Sequence, residues 1–331
     1  MNQWKQTVIK LSLLTSLSVT ATHAMANQIP YQSIGVTYNA LHASTKPSVD
    51  SVNQDLDDIK GYKMPDGGSF NSIRSYYAAY NGGGVVLVNQ LDHIKGLSVL
   101  LGLYIDDQYV NKSWVESDYK KFVDPYLKKN NNQTVIGVLI GNEDYDSVTK
   151  ATIIKYLQQV KTDHPLVPVG TAQTTAFWLT NLAALEIAKD SDFIGVNIYP
   201  QWDWNNPDKY NQPQLNGQSL TPADAFTSFK QQYEKVAAKY PGKQIVVTET
   251  GWPTTYGWVV NVPVEPKQCQ QGLDNANAYF ELISAWAKQN KVVVYYYSMF
   301  DDWYGVNTTS QYNMHFGLLD NNGNLKVGVS C

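Results

Sequence analysis

Arginine is almost missing from this 331-residue chain: of 25 basic residues, 24 are lysines and Arg74 is the single arginine. Glutamate is scarce as well, with seven copies against 22 aspartates. The formal net charge of -4 leaves no excess of basic charge, which argues against nucleic acid or an anionic membrane as a partner. Cysteine is limited to Cys269 and Cys331, and neither has an adjacent His or a Cys-x-x-Cys context, so a catalytic thiol is excluded. No Gly-x-Ser-x-Gly elbow exists to carry a serine nucleophile, and no Gly-x-Gly-x-x-Gly follows the first apolar run. His42, His93, His164 and His315 are isolated, without His-x-His or His-Glu-x-x-His spacing; no metal and no other cofactor is expected.

The first 26 residues read as a targeting segment. Lys5 and Lys10 supply positive charge, Leu11 to Ala21 is a short apolar stretch, and Ala24-Met25-Ala26 fits a small-x-small cleavage site. The alternative is an amphipathic N-terminal helix. Residues 27–331 then form an exported domain, secreted, periplasmic or held at the cell wall, and no later apolar run is long enough to span a bilayer. In an oxidising compartment Cys269 and Cys331 form a disulfide that anchors the C-terminus, or remain two separate thiols.

Short, nearly continuous apolar runs recur along the chain at 33–38, 72–76, 97–103, 135–141, 167–171, 193–198, 244–248 and 292–299. Continuous rather than alternating hydrophobicity marks strands buried on both faces, as in a parallel sheet. Helical periodicity lies between them. Ser113 to Lys129 aligns Val115, Tyr119, Phe122, Tyr126 and Leu127, and Asp274 to Gln289 aligns Ala278, Leu282, Ala285 and Trp286. Gly82-Gly-Gly84 is expected to open the second helix as a loop, since no Lys-Ser or Lys-Thr follows it. Eight strands alternating with helices predict a single α/β domain, a (β/α)8 barrel, and Asp320-Asn-Asn-Gly323 predicts a turn in a short closing ribbon. A doubly wound two-domain protein is the alternative, without a linker-like stretch to support it.

Active sites of such barrels form at the C-terminal strand ends. The fourth run ends Gly141-Asn142-Glu143 and the seventh ends Thr248-Glu249-Thr250-Gly251-Trp252-Pro253, so two of the seven glutamates close two of the eight strands. Carboxylates facing across a cleft are what glycoside hydrolysis requires; the competing reading is that each caps a helix or pairs with a lysine. Asn142 supplies a neutral amide beside Glu143. Tyr199, held extended by Pro200, either donates to a carboxylate or is a core tyrosine. Trp202, Trp204, Trp252, Tyr256, Trp258, Phe300, Trp303 and Tyr304 crowd the following loops, and three or four of them are expected to line a groove suited to sugar faces.

The segments Gly141-Asn-Glu143, Val196-Asn-Ile-Tyr-Pro200, Glu249-Thr-Gly-Trp-Pro-Thr254 and His315-Phe-Gly-Leu318 resemble, in order, the signature segments of glycoside hydrolase family 17. The resemblance runs from about Ile34 to Lys326. It implies a retaining TIM-barrel β-1,3-glucanase or β-1,3-glucanosyltransferase, with a poly- or oligosaccharide as partner and a monomeric chain. By the same resemblance Glu143 is the acid/base, Glu249 the nucleophile, Asn142 a ligand for the sugar 2-hydroxyl and Tyr199 a partner of the nucleophile. Arg74 and Tyr76 sit where the family also has an Arg and a Tyr. Tyr38, Trp202, Trp252, Phe300 and Asp302 complete the expected substrate contacts. The chain departs from the family after the eighth strand, where Asp302, Gly305 and Asn313 stand at positions that commonly hold Glu, Lys and Glu. Hydrolysis and sugar transfer both stay open, as does a catalytically silent carbohydrate-binding barrel.

Overall fold

The buried apolar runs become the staves of a closed barrel. The computed structural model describes residues 28–44, 46–80, 85–91, 93, 96–105, 119–130, 134–144, 149–200, 220–254, 266–302 and 315–326. The strands are β1 (Gly35–Tyr38), β2 (Ser72–Ser75), β3 (Ala79–Tyr80), β4 (Val85–Val86), β5 (Ser98–Leu103), β6 (Val135–Asn142), β7 (Val169–Thr174), β8 (Phe193–Asn197), β9 (Gln244–Thr250) and β10 (Val294–Tyr296). All but β3 and β4 pair in parallel, in the order β1-β2-β5-β6-β7-β8-β9-β10 and back to β1. Closure is carried by Val36 opposite both Ile73 of β2 and Tyr296 of β10. This is the (β/α)8 barrel that the runs predict, and a doubly wound sheet is ruled out. The expected 167–171 strand lies two to three residues later, because Pro168 has no N–H for the ladder and Thr174 ends the strand by capping the next helix.

The helices between staves are α1 (Val49–Gly61), α2 (Leu87–Gln90), α3 (Asp124–Asn130), α4 (Lys150–Asp163), α5 (Thr175–Thr180), α6 (Ala184–Asp190), α7 (Pro222–Lys239) and α8 (Pro266–Asn290). Local sequence starts them: Ser48 and Ser51 form a reciprocal capping box at α1, and Thr221 with Pro222 opens α7. A π-helical turn, Tyr119–Val123, precedes α3, and Tyr119, Tyr126 and Leu127 of the expected face are buried there. Gly82–Gly84 lies outside the described residues; β3 and β4 on either side of it pair antiparallel.

The expected inner face of α8 is rotated by one residue. Ala276, Tyr279, Phe280, Ile283 and Ala287 are buried against the barrel, while Trp286 packs edge-on against Phe229 and Tyr233 of α7, with ring centres 5.2 and 5.1 Å away. Both stripes repeat at helical spacing, and the one with the larger buried aromatics takes the barrel side. Inside the barrel a separate apolar cluster, built on Leu100, Leu139, Phe193, Val246 and Tyr295, fills the lower layers. Ile29 joins this cluster and is tied to the start of β9: Gln244 Oε1 accepts from the Ile29 N–H at 2.8 Å, and Gln244 Nε2 donates to the Ile29 carbonyl at 2.7 Å. At the opposite end the predicted ribbon forms, with Leu319 bridging Phe300 and Leu325 around a turn in which Gly323 adopts φ 82°. Residues 1–26, Trp202 and Cys331 are outside the described residues, as is the Cys269 side chain.

Candidate active site

Above the apolar layers the inward side chains turn polar. β2 contributes Arg74, β6 ends in Asn142, β8 ends in Asn197 and β9 carries Glu249. Glu249 is buried at 5% exposure, and three donors converge on it. Arg74 Nη1 pairs with Oε1, the Tyr76 hydroxyl donates to Oε1 at 3.0 Å, and the Tyr199 hydroxyl donates to Oε2 at 2.7 Å. The Arg74 guanidinium also lies over the Tyr76 ring, 4.0 Å from its centre, so the charge is packed as well as paired. Burial, followed by the charge on Glu249, holds both phenols well above their usual pKa and keeps them as donors.

Arg74 does a second job. Its Nη2 donates to Asn142 Oδ1 at 2.8 Å, and Asn197 Nδ2 donates to the same oxygen at 3.0 Å. Two donors on one oxygen fix the orientation of the Asn142 amide and leave Nδ2 as the group it can offer a ligand. Asn197 is fixed in turn, because Thr248 Oγ1 donates to its Oδ1 at 2.6 Å. Its Nδ2 also donates to Glu143 Oε1 at 2.8 Å, which links the two glutamates through a continuous polar network.

Glu143 stands at the mouth, with its side chain exposed. Its backbone has φ 52°, in the left-handed region, directly after the Asn142 end of β6. Its carboxyl pKa is raised from 4.5 to about 7. Surrounding protein that thins its hydration comes first among the causes, then the negative charge of Glu249; the Asn197 donor and Arg74 oppose them, and Asp144 adds to the rise. Solvent at the open face screens part of each charge effect, but the two leading causes act in the same direction.

Six of the residues singled out in the sequence meet here: Glu143, Glu249, Asn142, Tyr199, Arg74 and Tyr76. Others do not. Tyr38 is a core residue whose hydroxyl donates to Asp55 at 2.7 Å, because β1 turns that side chain toward α1. Phe300 is buried in a stack on the His42 ring, 4.2 Å between centres. Trp252 is 3% exposed and leans on Tyr279 of α8, between barrel and helices. These three expected substrate contacts are packing residues. Asp302 lies one shell away, accepting from the Tyr297 hydroxyl at 2.9 Å. Tyr297 meets the Tyr199 ring edge-on at 6.0 Å. Sequence reasoning does not single out Asn197 or Thr248, although Asn197 lies two residues before Tyr199, the spacing that puts both on one side of an extended segment.

Two glutamates of unlike environment at the C-terminal mouth of a parallel barrel form the site layout of a glycoside hydrolase. The family profile of the BtgE/BtgC glycoside hydrolase domain matches residues 35–317, and the chain belongs to that family. A probable glucan endo-1,3-beta-glucosidase btgC of Aspergillus fumigatus is 25% identical over 329 residues, covering 93% of this chain and 43% of its own. A glucan 1,3-beta-glucosidase of Arthroderma benhamiae is 23% identical, covering 82% and 89% respectively. The chain spans less than half the length of the Aspergillus relatives it matches. Among solved structures, an active-site mutant of the Rhizomucor miehei beta-1,3-glucanosyltransferase in complex with laminaritriose superposes with TM-score 0.64 at 22% identity, covering 90% of this chain and 97% of its own. An endo-laminarinase from Formosa Hel1_33_131 gives TM-score 0.69 at 16% identity, covering 90% and 86%. These likenesses establish a common fold.

Proposed function

We propose that this chain is a retaining glycosidase of glycoside hydrolase family 17 that cleaves β-1,3-glucan by double displacement. The observation that carries the reading is the unequal setting of the two glutamates. Glu249 is buried under three donors, which suits a nucleophile held ready for attack on the anomeric carbon. Glu143 is open to the cleft and has its proton affinity raised to about 7, which suits a group that protonates the departing oxygen and then takes a proton from the incoming hydroxyl. Asn142 offers Nδ2 to the hydroxyl next to the anomeric carbon. The substrate class is supported by the names of the relatives, glucan endo-1,3-beta-glucosidases and a glucan 1,3-beta-glucosidase.

Glu249→Gln keeps the volume and removes the nucleophile; turnover of laminarin falls by roughly 10³-fold or more while the thermal transition persists. Near-normal turnover in that variant refutes the nucleophile assignment. The anomeric configuration of the first-formed sugar, read by proton NMR, is retained under double displacement and inverted otherwise. Transfer to a sugar acceptor is the second reading, favoured by the likeness to a glucanosyltransferase barrel. Products longer than the starting oligosaccharide identify transfer, and shorter ones alone identify hydrolysis. The reading extends to export: residues 1–26 are removed and the enzyme acts as a monomer outside the cytoplasm. Mass spectrometry of the secreted chain and its elution volume test both points.

A further inference from the structure

Directly behind the exposed Glu143 lies another carboxylate. Asp144 is 6% exposed, and Gln173 Nε2 of β7 donates to its Oδ1 at 2.8 Å while also reaching Thr171 Oγ1 at 3.2 Å. The Asp144 carboxylate occupies the space beside Gly141, where a Cβ would come within 1.8 Å of Oδ2. Gly141 itself has φ 74°, and the β6–β7 register shifts between Leu139 and Asn142. The strand end is therefore a bulge that lifts Glu143 into its left-handed conformation, with the Glu143 N–H donating to the Ala172 carbonyl at 2.9 Å. Asp144 fills the concave side of that bulge.

We propose that Asp144 is a positioning residue for the proton donor: its buried carboxylate, braced by Gln173 and seated against Gly141, fixes the turn that presents Glu143 and sets a second negative charge behind it. An apolar filler would supply the packing but not the charge, and burying a carboxylate is costly unless donors offset it; the Gln173 amide supplies one, to Oδ1. Among the described residues, side chains from several elements act on Glu143. Glu249 from β9 and Asp144 favour its protonated form, whereas Arg74 from β2 and the Asn197 amide from β8 favour the ionised form. Asp144 thus offsets part of the effect of Arg74, whose positive charge the nucleophile needs but the proton donor does not.

Asp144→Asn keeps shape and removes charge, so the basic limb of the kcat/KM pH profile on laminarin moves down by about 0.5 to 1 pH unit. A filler without electrostatic influence would change activity at every pH and leave that limb where it is. An unmoved limb in a folded Asp144→Asn enzyme overturns the proposal. If the amide is not tolerated, Asp144→Ser, smaller than the space it vacates, must give the same downward movement. Failure of both variants to fold makes the side chain a structural plug and also overturns the proposal. The inference rests on Glu143 being the proton donor, and Glu143→Gln in the same assay separates the two. A basic limb that survives in Glu143→Gln refutes the donor assignment itself, whereas its loss there beside an unmoved limb in Asp144→Asn refutes only the role of Asp144.

Discussion

Arg74 reaches Glu249 through one terminal nitrogen and Asn142 through the other, a geometry that a planar fork supplies and a single ammonium cannot. Arg74→Lys therefore keeps the charge but gives up one of two charge-assisted hydrogen bonds, worth ~1.5–3 kcal/mol, so kcat/KM is expected to fall about 10- to 100-fold. Steady-state kinetics with a parallel thermal melt check this; an unchanged kcat/KM would mean that the second contact does not matter. Glu143 supplies a pH signature at the same scale. With its proton affinity raised to about 7, the acid form is populated below that pH, and kcat/KM declines above it. The glutamates and the arginine were legible because scarcity made them conspicuous at strand ends. Asn197, Thr248 and Asp144 were not, since Asn, Thr and Asp are common in this chain and only the folded network gives them their roles.

The ends of two elements, β6 and α8, show what a pattern conveys and what it leaves out. An apolar run announces that a strand is buried, but not that its last turn bulges at Gly141. Gly141→Ala forces a side chain into the left-handed region and against Asp144; it is expected to cost about 2–4 kcal/mol and to reduce turnover as Glu143 shifts. Chemical denaturation with an activity assay on the same sample measures both. In α8 the helical period was readable and the phase was not, because two apolar stripes one residue apart compete for the barrel. Trp286→Ala removes the contact with Phe229 and Tyr233; a loss of about 2–3 kcal/mol is expected, without a change in KM, because the ring faces α7 and not the cleft. The same limit explains Tyr38, Phe300 and Trp252: aromatic composition near a strand end says nothing of which way each ring points.

At the scale of the whole molecule, stability and activity pull Glu143 in related directions. The folded pKa of about 7 lies above the ordinary 4.5, so the folded state binds this proton more tightly than the unfolded chain does. The contribution is fully present below about 4.5 and is lost as the pH rises through about 7. Glu143→Gln has no such proton to lose, and its melting temperature should gain on that of the unaltered chain as the pH rises from about 4.5 to about 7, and hold that lead above. A constant difference across that range would contradict the raised proton affinity. The barrel as a whole was legible because its strands are apolar on both faces, a property of composition that survives any uncertainty about where each strand starts. Its two ends differ in one further respect. Ile29 is fastened to the first residue of β9, on the floor of the barrel, whereas Lys326 near the other terminus donates to Thr254 and Asp301 beside the mouth. A tether attached directly ahead of Ile29 would therefore hold the barrel by its base with the cleft turned outward, whereas one attached directly after Lys326 would leave from beside the mouth.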